Sequence, residues 1–404
     1  MSNYFDVKNN PRKAWSGLLV ILALALVFPF IAQNFGNSWV RIMDFALLYI
    51  MLALGLNVVV GFAGLLDLGY IAFYAIGAYM TALLASPQFA VVLESFVNQY
   101  PAIGATLIWV FGPEIAQNGI HLSLWVIVPL AALTAGFFGA LLGAPTLKLR
   151  GDYLAIVTLG FGEIIRIFMN NLNGPVNITN GPQGINMIDP IRIFGVSLNG
   201  EAGSASTVML GNYAMPSVNA YYFLFLALCI AIIFISVRLQ NSRLGRAFVA
   251  IREDEIAAKA MGINTRNVKL LAFAMGASFG GVAGAMFASF QGFVSPESFS
   301  LTESIAVLAM VVLGGMGHIP GVVLGGILLA ALPEILRHVV EPLQLSLFGE
   351  VLVDAEILRQ LLYGLAMVLI MLIRPAGLWP APKNEDRPTA DTDTAKKSTD
   401  VVAA

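Results

Sequence analysis

The sequence predicts an all-α protein, a polytopic transmembrane helical bundle of about ten spans, with eight to ten compatible with the pattern. Hydrophobic residues make up 58% of the 404-residue chain, charged residues make up only 11%, and the mean hydropathy is +0.81. Ordinary globular domains carry about 25% charged residues. Long apolar runs also recur at intervals that fit membrane helices. These observations exclude an ordinary soluble domain.

Ten apolar runs predict the spans in chain order. They lie near residues 15–33, 41–60, 65–85, 121–146, 153–170, 220–238, 270–291, 303–316, 320–337 and 356–373. Several are shorter than the roughly 20 residues that a helix needs to cross the hydrocarbon core. The sequence GGMGHIPG at 314–321 fits either a link between two spans or a re-entrant hairpin. The run 15–33 lacks a good cleavage context, so we interpret it as a retained span.

Basic residues predict the orientation and the domain layout. With both termini in the cytoplasm, cytoplasmic segments hold 17 of the 22 Lys and Arg residues, in keeping with the positive-inside rule. The layout is a cytoplasmic N-terminus at 1–14, one membrane domain at 15–374 and a tail at 375–404. The tail is polar and is predicted to be disordered. Residues 86–120 and 171–219 are predicted to be outward-facing loops.

Segment 239–269 is predicted to be a cytoplasmic loop with an unusual share of the charge. Together with Arg238 it holds seven of the 22 Lys and Arg residues. Its centre, AIREDEIAAKAMGI, predicts one short helix that stops at Gly262, with the acidic residues 253–255 in its early turns. A small apolar face consists of Ile251, Ile256, Ala260 and Ile263. This segment is either a docking element for a partner or a solvated loop that fixes topology.

Two rows of glycines at four-residue spacing predict close helix packing. They are Gly276, Gly280 and Gly284, and Gly317, Gly321 and Gly325. Small residues let helix backbones approach closely in lipid, where no hydrophobic force drives helices together. The functional alternative is an interface that slides or kinks.

Signatures of catalysis and metal binding do not occur in the sequence. It contains no G-x-x-x-x-G-K-[ST] phosphate loop, no H-E-x-x-H and no nucleophile elbow. The three histidines are scattered and predict no metal site, and the single Cys229 cannot form an intrachain disulfide. We therefore predict that the chain is not an enzyme, has no catalytic residues and binds no cofactor or metal itself.

Polar residues within or beside the apolar runs are candidates for a path through the membrane, because buried charge there is costly and usually faces a cavity or partner. The candidates are Asn57, Asp67, Tyr70, Glu163, Arg166 and Asn180. Glu163 and Arg166 lie three residues apart and form either a structural ion pair or part of the path. Asp67 lies either where an interrupted helix exposes its backbone or in a plain turn between spans.

Two further polar segments are predicted to face outward. The sequence ITNGPQGI at 178–185 concentrates turn formers around Asn180. It either lines an outward mouth or is a simple loop. Glu297 and Glu303 flank another short outward segment and are candidates for receiving basic groups of a docking partner.

With these motifs in place, the chain resembles the permeases of branched-chain amino acid ABC importers, of the LivM type. The resemblance is carried by four stretches in order, GLNVVVGFAGLLDLGYIAFYAIGAYMTALL (55–84), LKLRGDYLAIVTLGFGEIIRI (147–167), TNGPQGI (179–185) and SRLGRAFVAIREDEIAAKAMGINTRNVKLLAFAMGASFGGVAGAMFA (242–288). Together they cover most of residues 55–290. The first 50 residues and the tail carry little of the resemblance.

The resemblance implies a permease subunit of an ATP-driven importer for leucine, isoleucine and valine in the bacterial inner membrane. The expected partners are a LivH-like second permease, two cytoplasmic ATPase subunits that bind the ATP, a periplasmic substrate-binding protein and the lipid bilayer. No nucleic acid is expected. Permeases for urea or short amides share this architecture and are the first alternative. An ion-coupled secondary transporter, for which Glu163 and Arg166 are the candidate site, is the second.

The resemblance also assigns a role to the charged loop. The sequence EIAAKAMG looks like the EAA-type coupling helix, which seats in a cleft of the ATPase. Ala257, Ala258 and Gly262 keep the family spacing, whereas Ile256 takes the place of the Glu and Glu255 stands one position early. The coupling residues that it implies are Arg252, Glu253, Asp254, Glu255, Ala257, Ala258 and Gly262.

Overall fold

The computed structural model describes residues 11–146, 149, 151–193, 196–199, 207–210, 213–348, 355–374 and 377–379. Residues 1–10 of the predicted N-terminus and nearly all of the predicted tail lie outside the described residues. The chain divides into two units, residues 21–380 and residues 1–20 with 381–404. The architecture below is that of residues 21–380, and of the other unit the structure describes only residues 11–20, the start of the first helix.

Helices account for most of the described chain. In the first half they are α1 (Pro11–Ala32), α2 (Asn37–Asn57), α3 (Ile71–Leu84), α4 (Gln88–Gln99), α5 (Pro101–Phe111), α6 (Pro113–Asn118), α7 (Leu124–Thr146) and α8 (Asp152–Asn171). In the second half they are α9 (Ser217–Gln240), α10 (Arg243–Glu253), α11 (Glu255–Ala260), α12 (Thr265–Gln291), α13 (Leu301–Gly314), α14 (Ile319–Phe348) and α15 (Ala355–Ile373). Each predicted span coincides with one of these helices, which confirms the polytopic helical class.

Helix length separates full spans from shorter ones. Among the described residues, four helices are long and apolar enough to cross a membrane alone, namely α2 with the π-helical turn Val58–Phe62 that continues it, α7, α9 and α12. Helices α3 and α4 reach the same length and apolarity only as a pair, and they meet with a bend of 80°. Helix α13 has 14 residues, about 21 Å at 1.5 Å per residue. The bundle therefore combines full spans with shorter helices.

Two predictions of local structure were wrong. The predicted outward loop 86–120 is mostly helical and contains α4, α5 and α6. Pro101 and Pro113 stand at the first turns of α5 and α6, where a missing N–H breaks no helical hydrogen bond. The predicted span 65–85 is helical only from Ile71, because residues 63–70 form an irregular link after the π-helical turn.

Two small antiparallel hairpins lie in the predicted outward loop 171–219. Strands β1 (Arg192–Ile193) and β2 (Val196–Ser197) form the first, and β3 (Thr207–Leu210) and β4 (Tyr213–Pro216) form the second. They add two short two-stranded sheets to the otherwise helical part of the chain that the structure describes.

Helix α12 lies at the centre of the bundle and packs against α2, α3 and α7. Three glycines on α12 make this possible: a Cβ at Gly276 would meet the carbonyl of Gly55, one at Gly284 that of Tyr74, and one at Gly281 that of Ala131. Backbones in such contact need the small side chains that membrane helix interfaces favour. Gly280 of the same row lies against the Tyr70 ring.

The second glycine row is divided between a helix and a turn. A Cβ at Gly321 would meet the carbonyl of Gly314, and one at Gly325 that of Met310, so both glycines bring α14 close to α13. Gly317 instead lies in the turn between the two helices with a φ of +81°. That conformation favours glycine.

The bundle has two ends, which α12 connects. At one end, here called the hairpin end, Asp189 N donates to Ala85 O at 2.6 Å. The other, here called the α11 end, carries α10 and α11, and the Arg252 guanidinium donates there to Gly61 O. Helix α12 begins shortly after α11 and reaches the hairpin end at Gln291.

Candidate functional site

The predicted coupling segment consists of two helices rather than one. Helix α10 ends at Glu253, and Asp254 adopts an extended conformation with φ −155° and ψ 110°. Its Oδ1 accepts hydrogen bonds from Ile256 N at 2.8 Å and Ala257 N at 3.0 Å, which makes Asp254 the N-cap of α11. The acidic residues therefore separate the helices. Gly262, with a φ of +85°, follows the end of α11, as the sequence predicted.

Helix α11 is fastened to the bundle on its inward side. Glu255 forms an ion pair with Lys269 of α12 at 2.7 Å, and the Lys269 side chain is only 5% exposed. Ala258 is buried. The Arg252 bond to Gly61 attaches the end of α10 to the π-helical turn. These contacts connect the helix pair to α12 and to the π-helical turn after α2.

The outward side of α11 is apolar and exposed. Ile256 is 69% exposed, and Met261, directly after the helix, is 84% exposed, while the charged Lys259 is exposed as well. The predicted apolar face was wrong in part: Ile251 is buried within α10 whereas Ile256 and Ala260 are exposed. Ala257 and Glu253 are also exposed, and Ala258 faces the bundle.

A cavity of about 330 Å³ lies beside this helix pair. It is lined by the irregular link 63–66, by the start of α8 at Gly151 and Asp152, and by Arg252 and Lys269, among other residues. The cavity thus joins the helix pair to the interrupted segment after α2 and to the first turn of α8. No sequence motif predicted this arrangement.

Two of the polar path candidates are engaged in internal contacts. Asn57 is buried, and its Oδ1 accepts a hydrogen bond from Gly317 N at 2.8 Å. Tyr70 is also buried, and its hydroxyl donates to Gly276 O at 2.8 Å. Both side chains join helices together, so neither is available to line an open path in this conformation.

Asp67 lies within the irregular link and is buried. Its Oδ1 accepts a hydrogen bond from Gly69 N at 3.0 Å, and its Oδ2 has no partner among the described residues. It lines a cavity of about 10 Å³ together with Thr158 and Phe273, among others, which is close to the space that one water needs. Asp67 therefore lies in the link between the π-helical turn that continues α2 and the start of α3.

Glu163 and Arg166 form the ion pair that their spacing predicted. Arg166 Nε lies 3.0 Å from Glu163 Oε2, and Arg166 Nη1 lies 3.6 Å from Glu297 Oε1. Glu297 therefore contacts Arg166 within this chain while most of its side chain stays exposed. Asn180 lies in the adjoining loop with a φ of +59°, and its amide donates to Gly184 O at 2.8 Å.

Glu303, the second residue predicted as a docking candidate, also pairs within the chain. It accepts a hydrogen bond from the Tyr49 hydroxyl at 2.8 Å and lies 3.8 Å from Arg359. Its side chain is 22% exposed. These contacts connect α2, α13 and α15.

Sequence reasoning missed a charged pair at the hairpin end. His121 Nδ1 lies 2.5 Å from Asp189 Oδ2, and both residues line a cavity of about 810 Å³ together with Trp125 and Arg192. The hydrogen bond to Asp189 raises the pKa of His121 above its usual value. The two residues are 68 positions apart, so no local spacing marks them as partners.

The described bundle combines full spans with a helix pair, α3 and α4, that is bent by 80°, and broken helices of this kind occur in many membrane transporters. The family described as branched-chain amino acid transport system / permease component matches residues 38–371. This chain belongs to that family. It is a multi-pass membrane protein of the permease class.

Named relatives support the assignment. The chain is 41% identical over 369 residues to the high-affinity branched-chain amino acid transport system permease protein LivM of Escherichia coli, covering 90% of this chain and 74% of the relative. It is 27% identical to a probable LivM of Methanocaldococcus jannaschii, covering 82% and 90% of the two chains. It is 23% identical to LivH of Escherichia coli, covering 83% and 92%. No solved structure matches the chain.

Proposed function

We propose that the chain is a permease subunit of an ATP-driven importer that moves leucine, isoleucine and valine across the bacterial inner membrane. The names of the relatives similar to it support this substrate class. We further propose that it pairs with a LivH-like permease, because the chain is similar to both LivM and LivH. Two ATPase subunits, which bind the ATP, and a periplasmic substrate-binding protein complete the proposed complex.

Helix α11 is the proposed contact with the ATPase. The observation that carries this proposal is the pair of exposed apolar side chains, Ile256 and Met261, on a helix whose inward side is fastened to α12. A short helix with an apolar outer face fits a partner's groove. Ala258 and Glu255 support the helix from within, whereas Ile256, Ala257, Ala260 and Met261 present its outer surface.

The proposed mechanism uses the contacts of the helix pair. When the ATPase subunits close, α11 and α10 move with them. The Glu255–Lys269 pair carries the movement to α12, and the Arg252–Gly61 bond carries it to the π-helical turn. π-helical turns interrupt regular hydrogen bonding and frequently occur at functional sites. The interrupted segment 58–70 is therefore the element that we expect to open and close the path.

Uptake of labelled leucine into vesicles tests the proposed function. The vesicles contain the whole complex with its binding protein, and a matched preparation lacks the ATPase subunits. We expect uptake that requires ATP and the ATPase and is competed by isoleucine and valine. ATP-dependent uptake of urea or amides instead of leucine would show that the chain belongs to the alternative substrate class. Uptake without the ATPase would exclude an ATP-driven mechanism.

Two variants test the role of α11 separately. Ile256→Ser and Met261→Ser remove apolar surface from α11 without disturbing its inward contacts. We expect both to weaken copurification of the ATPase and to lower uptake. Val249→Ser, at an exposed position of α10 in the same segment, is the matched control. Equal losses in all three variants would show that α11 has no special part in the contact.

A further inference from the structure

Helix α8 carries charged side chains well away from its ends. It has 20 residues, about 30 Å of helix, which equals the thickness of the hydrocarbon core. Its first residues line the cavity beside Arg252, so α8 begins at the α11 end. Glu163 lies eleven residues after Asp152, about 16 Å along the axis, and Arg166 follows one turn later. Both residues therefore lie in the half of α8 nearer the hairpin end, within the span that the sequence predicts at 153–170.

These charges are only partly covered by this chain. The Glu163 and Arg166 side chains remain 32% and 29% exposed, and Glu297 remains 69% exposed. A charged group that faces hydrocarbon is costly. The face of α8 that carries Glu163, Arg166 and Asn170 therefore adjoins water or polar groups rather than lipid.

The rest of α8 separates this polar face from an apolar one. Residues three, four and seven apart share a helix face, which groups Asn170 with Glu163 and Arg166. The exposed apolar side chains Ile164 and Phe168 lie on the neighbouring face, and Ile156, seven residues before Glu163, is exposed on the face of the charges. An apolar surface thus lies directly beside the charges. A small molecule with a charged head group and an apolar side chain could contact both.

The charges match the head group of a free amino acid. An α-amino acid at neutral pH carries one ammonium and one carboxylate. The Arg166 guanidinium has five N–H donors and suits a carboxylate, and its contacts with Glu163 and Glu297 are made through Nε and Nη1. Carboxylates on both sides of it can accept hydrogen bonds from an ammonium group.

The loop at the hairpin end closes over this site. The Thr179 hydroxyl donates to Met169 O in the last turn of α8. Ile185 forms a β-bridge with Val294, which precedes the short helical turn that carries Glu297. The loop that includes Asn180 is therefore bonded to both elements that carry the charges, α8 and the segment before Glu297.

We propose that Glu163, Arg166 and Glu297 form a binding station for the zwitterionic head group of the transported amino acid. Arg166 binds the carboxylate, Glu163 and Glu297 bind the ammonium, and the apolar face of α8 accepts the side chain. This inference rests on the proposed function, since it places the amino acid in the path of this chain. An ion pair that only stabilises α8 is the competing explanation.

A charge exchange separates the two explanations. Arg166→Gln removes the guanidinium, and the triple variant Glu163→Arg/Arg166→Glu/Glu297→Arg keeps both ion pairs with their charges reversed. Each variant is assembled into the whole complex, its copurification with the partners is measured, and leucine uptake is compared per assembled complex. Glu94→Gln, an exposed carboxylate of α4 outside the site, is the matched control.

We expect Arg166→Gln to lower uptake by roughly tenfold or more, as the loss of a charge-assisted hydrogen bond predicts. The charge-reversed variant should take up leucine equally poorly, because the ammonium and carboxylate of the substrate would face like charges. Near-normal uptake by either variant would overturn the inference, whereas a wild-type complex without ATP-dependent leucine uptake would overturn the proposed function itself.

A cysteine variant tests the site without altering the charges. Asn170→Cys lies on the same face, and the native Cys229 is buried, so a water-soluble thiol reagent should report position 170. We expect labelling in the assembled complex, and slower labelling in its transporting state with leucine. Complete protection without substrate would show that protein covers the face, and the inference would then be wrong.

Discussion

Gly284 lies where α12 crosses α3, and its hydrogen-only side chain sets the distance between the two helices. A Cβ at this position would overlap the carbonyl oxygen of Tyr74 and approach Ala78 N at 2.7 Å, both of which are backbone atoms. Backbone cannot move aside as a flexible side chain does. We therefore predict that Gly284→Ala destabilises the bundle by about 2 kcal/mol, as overpacking in a dense core does. The measurement is the midpoint of thermal unfolding in detergent.

Gly364 provides the control for this prediction. It lies within α15, and a Cβ there meets nothing within 4 Å. Alanine is the better helix former, so Gly364→Ala should leave the midpoint unchanged or raise it slightly. If both substitutions lowered the midpoint equally, the effect would not come from the contact between α12 and α3.

His121 gives a prediction for the dependence of stability on pH. Its hydrogen bond to Asp189 raises its pKa in the folded state, while nearby Arg192 opposes the shift. Stabilisation by a group with a raised folded pKa is fully present below the unfolded pKa and is lost as the pH rises through the folded pKa. His121→Gln should therefore lower the thermal midpoint more near pH 5.5 than near pH 8.5.

The comparison with Asp189→Asn completes this test. That variant removes the carboxylate that raises the His121 pKa, so it should abolish the same pH-dependent part of the stability. The prediction would be contradicted if His121→Gln lowered the thermal midpoint by the same amount at both pH values. Because both side chains are 37% exposed, the effect should be small and weakened by salt.

At the scale of elements, the sequence predicted helices better than their interruptions. Apolar runs located the spans because a membrane helix requires them. The break at Asp254 went unnoticed because Glu and Ala on both sides favour helix, and only the capping bonds of Asp254 show why the chain turns there. Likewise, the shortened α3 follows an irregular link whose residues are as apolar as a helix. The irregular link is held by contacts with α8, such as the hydrogen bond from Leu68 N to the Thr158 hydroxyl.

For the candidate site around Glu163 and Arg166, the sequence predicted which residues take part better than it predicted their contacts. The spacing of Glu163 and Arg166 predicted their ion pair, since residues three apart meet on a helix. Their contact with Glu297 joins positions more than 130 residues apart and has no local signal. The same holds for Glu255 and Lys269, which the sequence assigned to one loop without pairing them.

The attachment of α11 to α12 gives a prediction at this scale. Glu255→Gln removes the carboxylate that faces Lys269 and leaves a buried ammonium without it. We expect the docked state of α11 to lose about 2 kcal/mol, as when one partner of a buried, charge-assisted hydrogen bond is removed. Faster hydrogen exchange in residues 255–261 would show this loss, with little change in α7.

The double variant Glu255→Gln/Lys269→Met tests the cause. It replaces the ammonium with an apolar group of similar length, which removes the buried charge. Hydrogen exchange of α11 should then return most of the way toward wild type. If the double variant exchanged faster than Glu255→Gln, the ion pair would not be what holds the helix.

For the whole molecule, orientation in the membrane remains a prediction from the positions of Lys and Arg. The structure separates two ends, with residues 84–122, 172–193, 196–199, 207–210 and 213–216 at the hairpin end and α10 and α11 at the other. The sequence places the end with the seven basic residues in the cytoplasm. Met187 and Met261 are exposed at the hairpin end and the α11 end, respectively, and they offer a direct test.

We predict that Met187→Cys reacts with a membrane-impermeant maleimide in intact cells and that Met261→Cys reacts only in inside-out vesicles. The unchanged chain is the control, because its single cysteine, Cys229, is 3% exposed and should label poorly. Both variants keep the charges that orient the chain, so neither should alter topology. The reverse labelling pattern would place α11 outside the cell and exclude its contact with a cytoplasmic ATPase. If both cysteines were labelled from the same side, the two ends of the bundle would not lie on opposite sides of the membrane.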